Sequence, residues 1–284
     1  MMTGHWDIGG AVVFWSLAEG TDRSRLHHGF TGLGLEAFVP DPRPASAVLK
    51  DALDETLGGP RVLIRPLAAR DGFAVVQEDR GRTDNTYVTT LVARALGDPV
   101  ELAFEPIDER ASQIIDQFRV QSQRLSASQV SGALVKVVEH LGGTRLRPTG
   151  AVYWVPGHRL DEWASVALAV EAASTGRPSA VYVIRHPLDA EAVRAVRDAI
   201  VTEVQTEAKR IVEDVNTGEL GERALDTRRT QAASLRDKVL LYEDLLSVGL
   251  AGLHQAIDVA DQAAAVATLL LASEPAPPAT AGVE

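Results

Sequence analysis

The chain has no cysteine among its 284 residues. Disulfides, thiolate zinc sites, iron–sulfur clusters and a cysteine nucleophile are therefore excluded. Long apolar runs are missing too. No stretch reaches the roughly 18 charge-free residues of a membrane span, and the nearest, 262–272, is too short. The opening residues, MMTGHWDIGG, lack the basic segment and apolar run of a secretion signal. A cytoplasmic protein with no membrane contact is the expectation. Familiar catalytic signatures are absent as well: HExxH, HxxxH, GxxxxGKS/T, GxSxG and SxxK do not occur. The glycine-rich GFTGLGLE fits no phosphate-binding pattern, because no parallel βαβ unit frames it. No cofactor is expected.

What is present reads as a globular protein, with 45% hydrophobic and 24% charged residues. The length suits one large or two small domains. Against 28 Lys and Arg stand 39 Asp and Glu, a net charge of -11. Residues 105–160 hold seven basic and five acidic side chains, net +2. Residues 189–248 hold nine against thirteen, net -4, and 249–284 none against four, again net -4. An acidic whole argues against tight non-specific nucleic-acid binding, while leaving room for a local basic patch.

Period-2 and period-3.6 patterns divide the chain. AVVFWSL (11–17) reads as a strand. A short helix follows, with Thr21 as its cap and Leu26, Phe30 and Leu33 at helical spacing. Leu49, Leu53 and Leu57 line one face of a helix that Gly58-Gly59-Pro60 stops. Over 61–104, four β-rich runs separated by short polar turns predict an antiparallel meander, which strand 11–17 could join. Pro66 places its strand at an edge or at a bulge. Two amphipathic helices follow, around 107–118 and 130–141, then a β-hairpin, TRLRPTGAVYWVP. Pro148 suits its turn, and Gly150 can take positive φ. A helix over 160–173 and a strand over 180–184 complete this part.

From Asp189 the chain reads as helix. Asp189 caps it and Glu191 complements its dipole. Val193, Val196, Ile200, Val204, Ala208, Ile211 and Val215 form a seam at spacings of 3 and 4, on a helix that could reach about 40 Å. After NTGELG a second long helix carries Leu225, Leu235, Val239, Tyr242, Leu246, Leu250, Leu253 and Ile257, with Gly249 and Gly252 as points of bending. A short connection makes the two antiparallel neighbours. The fold class expected is α+β: an antiparallel sheet with flanking helices over 1–186, then a long coiled-coil-like helical hairpin over 187–272. The tail, 273–284, is Pro/Ala-rich and expected to be disordered.

Candidate chemistry is sparse. His27 and His28 are adjacent, with Asp22 nearby. Adjacent helical residues point about 100° apart, so they chelate one ion poorly, and two polar surface positions is the simpler reading. Glu78, Asp79 and Asp84 crowd a turn with Arg80 and Arg82. They lack the spacing of a calcium loop and suit a solvated hairpin tip. These five, His27, His28, Glu78, Asp79 and Asp84, are the weak metal candidates. Arg145 and Arg147 lie two apart on one face of the predicted hairpin. With Arg124 and Lys136 from the helices ahead, they give 107–155 the look of a winged helix-turn-helix, which would make nucleic acid a partner. An ordinary hairpin with exposed arginines is the alternative. Tyr153 and Trp154 suit a core better than a base-stacking platform.

The stretches VVFWSLAEGTDRSRLHHGF and LRPTGAVYWVP, with the Arg/Glu-rich helical end, resemble an uncharacterised bacterial family of hypothetical proteins. The resemblance spans most of the chain. No activity is known for that family, so it implies no substrate and no site residue.

The expected function is a non-enzymatic interaction or scaffolding protein. It would meet a protein partner or a second copy through the seam of Val193, Val196, Ile200, Val204, Ile211, Leu235, Val239, Tyr242, Leu246 and Leu250, since two helices alone leave apolar surface bare. Nucleic-acid binding through 107–155 is the alternative, and a metal-dependent hydrolase or nuclease the second alternative.

Overall fold

The structure is a computed structural model that describes residues 9–81, 84–147, 149–217 and 220–273. Pro148 and the tail from 274 onward lie outside the described residues. The first half contains β1 (Gly10–Ser16), β2 (Thr21–Asp22), α1 (Arg23–Thr31), α2 (Ala45–Leu57), β3 (Val62–Pro66), β4 (Gly72–Arg80), β5 (Asn85–Leu96), β6 (Glu101–Glu105), α3 (Ala111–Ser122), β7 (Arg124–Leu125) and α4 (Ala127–His140). There follow β8 (Thr144–Arg145), β9 (Val152–Pro156), α5 (Leu160–Ala173), β10 (Ala180–His186), α6 (Ala190–Asn216), α7 (Glu222–Leu246) and α8 (Ala251–Ser273).

Internal contacts divide the chain into two interleaved units and not at residue 186. Unit 1 is formed by the described parts of Met1–Trp15, Lys136–Ala164 and Val181–Glu284. Unit 2 is formed by those of Ser16–Val135 and Ser165–Ala180. The 107–155 stretch is split between them. Ile114 of α3 belongs to the unit 2 core, whereas the β8–β9 hairpin belongs to unit 1.

Unit 2 contains the meander. Its four strands lie in the order β3-β4-β5-β6, each antiparallel to the next. The alternation turns Leu91 and Ala93 of β5 inward, where they meet Leu49, Leu53 and Leu57 of α2 and Ile114 of α3. Pro66 ends the edge strand β3, where its missing N–H costs no ladder bond. The ladder slips between Val75 and Val76, a bulge. The cap of α1 differs from the expected Thr21. Asp22 accepts from the Arg25 N–H at 2.9 Å, while Thr21 is buried and paired with Leu125 across β2 and β7.

Strand β1 does not join the meander. It pairs antiparallel with β9 in unit 1, where Val12 lies opposite Trp154 and the sheet order is β10-β1-β9-β8. Asp189 caps α6 as expected, accepting from the Ala192 N–H at 2.8 Å. The expected second long helix is two helices. Helix α7 stops at Leu246, and Ser247 takes a left-handed conformation (φ 51°, ψ 39°). The Glu243 carboxylate then secures the turn, accepting from the Leu250 N–H at 2.6 Å and meeting His254 Nε2 at 3.0 Å. That backbone hydrogen bond, and then the one to His254, hold the Glu243 carboxyl below its ordinary range.

The helical hairpin is thus a three-helix arrangement, with α8 packed along both α6 and α7. Leu253, Ile257, Ala260 and Ala264 of α8 join Val196, Ile200, Val204 and Ile211 of α6 and Val239, Tyr242 and Leu246 of α7 in one buried core, with Leu250 from the turn and Trp154 from the sheet. Val193 and Leu235 pack against it, partly buried. The seam read as a surface for assembly is covered by the chain's own third helix. Helix α8 is also long and apolar enough over Ala251–Ala272, by length and composition, to cross a membrane. One of its faces is in this core, and Asp258 and Asp261 are ion-paired with Arg236.

The packing predicts a contrast within α8. Ile257 is 0% exposed and Leu269 70%. In urea unfolding, Ile257→Ala should cost about 2–5 kcal/mol, whereas Leu269→Ala should stay within about 0.5 kcal/mol of the native chain.

Candidate functional site

A cleft of ≈ 870 Å³ opens within unit 1. One wall is the β8–β9 hairpin with Arg145, Leu146, Arg147 and Tyr153, and Glu139 from the end of α4. The opposite wall is α6, with Asp198, Ala199, Thr202, Glu203, Thr206, Glu207 and Arg210. Helix α7 adds Gln231, Ser234, Leu235 and Lys238. On α6 these positions recur every three or four residues, as a polar row beside the apolar row that enters the core.

The hairpin is fastened to both helices by polar contacts. Gly142 turns the chain out of α4 at φ +73°, a conformation that glycine adopts without steric cost. A Cβ on Gly143 would come 2.7 Å from the Trp154 carbonyl oxygen, so glycine is required there as well. This turn presents two successive carbonyls to α7. The Tyr242 hydroxyl donates to the Gly142 carbonyl at 2.9 Å, and the Lys238 ammonium donates to the Gly143 carbonyl at 2.7 Å. Lys238 also donates to Glu203 Oε1, and the Thr144 hydroxyl donates to Glu203 Oε2 at 2.6 Å. The side chains of Lys238 and Glu203 are only 12% and 26% exposed, which strengthens the pair and makes the loss of either partner costly. Burial, and then the charge of Glu203, push the Tyr242 hydroxyl well above its ordinary range, so it stays a protonated donor.

On the hairpin wall, one guanidinium nitrogen of Arg145 donates to the Tyr153 hydroxyl at 3.0 Å, and the group lies 5.4 Å from the Tyr153 ring centre. Tyr153 is itself stacked on Trp15 at 5.3 Å. The Arg147 guanidinium lies over the turn at Gly150, whose φ is +89°. Among the described residues, neither Arg145 nor Arg147 forms an ion pair with a carboxylate. Arg210 is paired with Glu207 at 2.7 Å. Glu139 keeps an exposed flank. Partial desolvation of its carboxyl, the largest cause, with repulsion from Glu203 and Glu207, raises its pKa against the pull of Lys238 and Arg145. The lining carries four cations (Arg145, Arg147, Arg210, Lys238) and four carboxylates (Glu139, Asp198, Glu203, Glu207), so its formal charge cancels.

The other sequence candidates fall elsewhere. His27 and His28 are exposed on α1 in unit 2, where the Thr31 hydroxyl lies 3.3 Å from His27 Nδ1. Glu78, Asp79 and Asp84 are at the β4–β5 turn. There Glu78 accepts from Arg80 and Asn85, as a hairpin tip held by opposite charges should. Among the described residues, no group of three or more His, Asp or Glu gathers closely enough to hold a metal ion. Arg124 lines a smaller hollow of unit 2 with Glu19, Thr175 and Arg177, while Lys136 is exposed on α4 within unit 1. Of the four proposed nucleic-acid contacts, only Arg145 and Arg147 share a site. Sequence reasoning missed Glu139, Glu203 and Lys238. The one trace of the last two was polar character at positions bordering an apolar seam.

Glu139 carries a pH dependence with a definite sign. An acid whose folded pKa lies above its unfolded value (about 4.3 for Glu) adds stability below the unfolded value, and loses it as pH rises through the folded one. Glu139→Gln should therefore raise the Tm at pH 7, and the difference from the native chain should narrow as the buffer is lowered toward pH 4. Differential scanning calorimetry at both pH values checks this.

Neither a curated protein nor a solved structure matches the chain. Over residues 9–276 it matches the family described as a family of unknown function, DUF6744, and the chain belongs to that family.

Proposed function

We propose that the chain is a non-enzymatic binding protein whose unit 1 cleft takes up a compact polar ligand. One observation carries this reading: Arg145 and Arg147, whose guanidiniums have no carboxylate partner among the described residues, stand on the wall of a cleft whose other cations are already ion-paired. A volume of ≈ 870 Å³ falls in the range of small-molecule sites, about 300–1,000 Å³. The fastened hairpin supports it further, because a wall held in place before binding lowers the ordering cost of binding. Recognition suits these groups better than proton transfer, since Glu203 and Lys238 are fixed on one another.

Thr202 is exposed on α6 and lines the cleft, so a large side chain there would fill it without entering the core. A library of small polar metabolites screened by saturation-transfer NMR should give ligands whose signal disappears in Thr202→Trp, with circular dichroism unchanged. A library without hits, or hits that all persist in the filled variant, would overturn the reading.

Self-association is a second reading, favoured by a different observation. Along the outer side of α8, Val259, Val266, Leu269 and Leu270 are 52%, 55%, 70% and 63% exposed. An apolar stripe of this kind suits a second copy better than water. The assembly expected of the seam would then use the outside of the third helix. Light scattering should report a multimer for the native chain and a monomer for Val266→Glu/Leu270→Glu. A monomeric native chain at every concentration would end this reading.

A further inference from the structure

The cleft is asymmetric in how its charges are satisfied. Lys238 faces Glu203, and Arg210 faces Glu207. Arg145 and Arg147 have no such partner among the described residues, yet both line the same cleft from one arm of one hairpin. We infer that Arg145 and Arg147 form an oxyanion subsite, and that the cleft's ligand is a small molecule bearing one compact phosphate or carboxylate group.

The subsite is prepared in advance. Arg145 is held by the Tyr153 hydroxyl, and Tyr153 by its stacking on Trp15. A guanidinium offers five N–H donors in a planar fork, and the Tyr153 contact engages one nitrogen only. The remaining donors suit the paired oxygens of a carboxylate or phosphate. The α6 lining opposite includes Asp198, which is ion-paired with Arg197 at 3.6 Å, and the hydroxyls of Thr202 and Thr206, which donate to carbonyls of their own helix and keep acceptor capacity for the rest of the ligand. Amine or hydroxyl groups on the ligand would pair there. A long polyanion is disfavoured by the same arrangement. The lining's formal charge cancels, so it lacks the excess of cations that a string of phosphates needs, and the chain as a whole carries -11.

This inference rests on the cleft being a binding site, and its test separates the two. The probes are inorganic phosphate and acetate, titrated into the full chain at constant ionic strength, with chloride as control and backbone amide NMR as readout. Saturable shifts centred on the β8–β9 hairpin are expected, with affinity at least tenfold weaker in Arg147→Gln and in Arg145→Gln. Arg147→Lys keeps the charge without the fork and should give an intermediate loss. Saturation by phosphate alone identifies a phosphate-bearing ligand, and saturation by acetate as well identifies a carboxylate-compatible one. Shifts that stay linear, or that the arginine variants leave unchanged, overturn the subsite. If the metabolite screen still yields ligands sensitive to Thr202→Trp, the cleft survives and only its anion specificity falls. A single-stranded oligonucleotide that binds more tightly than phosphate and loses affinity in the same variants would replace the small oxyanion with a polyanion, and also overturn the proposal.

Discussion

Both oxygens of Glu203 are occupied. One accepts from Lys238 and the other from Thr144, while Lys238 also holds the Gly143 carbonyl. Through these contacts a two-residue strand, β8, is tied to α6 and α7, elements dozens of residues away in sequence. The bond energies involved are modest one at a time, about 0.5–1.5 kcal/mol for a typical hydrogen bond and more for a charged one. Their importance is geometric. The cleft lies between this hairpin and α6, with α7 beside them. The glycine turn and the Glu203–Lys238 pair together hold the hairpin to both helices. If either charged partner were lost, the other would be left half-buried without compensation.

The helical end of the molecule shows how far periodicity carries a sequence reading. Spacings of 3 and 4 along 193–215 and 225–257 located the buried residues, and Val196, Ile200, Val204, Val239 and Tyr242 are all in the core. They could not say how many helices share that core. A helix that continues and a helix that turns back bear the same apolar rhythm on either side of the turn. The break at Ser247 depends on a left-handed residue and on a glutamate reaching seven and eleven positions ahead, neither of which has a periodic signature. Once α8 folds back, its Ala260 and Ala264 fit closely against the other two helices, and surface that two helices would leave bare is covered.

Local order was legible elsewhere for the same reason. Short turns between β-rich runs dictate antiparallel neighbours, and the meander followed. Strand β1 could not be assigned to a sheet, because its partner, β9, lies beyond every local signal. The site was legible in part. The spacing of Arg145 and Arg147 reads as a shared strand face; the strand ends at Arg145, and Arg147 reaches the same cleft from the bend that follows, alongside Leu146. Glu139, Glu203 and Lys238 come together only through the tertiary fold, and isolated charged residues on helices look like solvated surface. The histidine pair and the acidic turn had the opposite character: each was conspicuous in sequence, and each is accounted for locally.

The pairing of β1 with β9 bears on how the chain is made. About 140 residues separate Val12 from Trp154, and a ribosome adding roughly 5–20 residues per second needs several seconds to tens of seconds to bridge them. During that interval AVVFWS, an apolar segment of strong β character, has emerged without its native neighbour. The order of translation thus leaves the first strand exposed to wrong partners for longer than any strand of the meander, whose mates follow within a few residues.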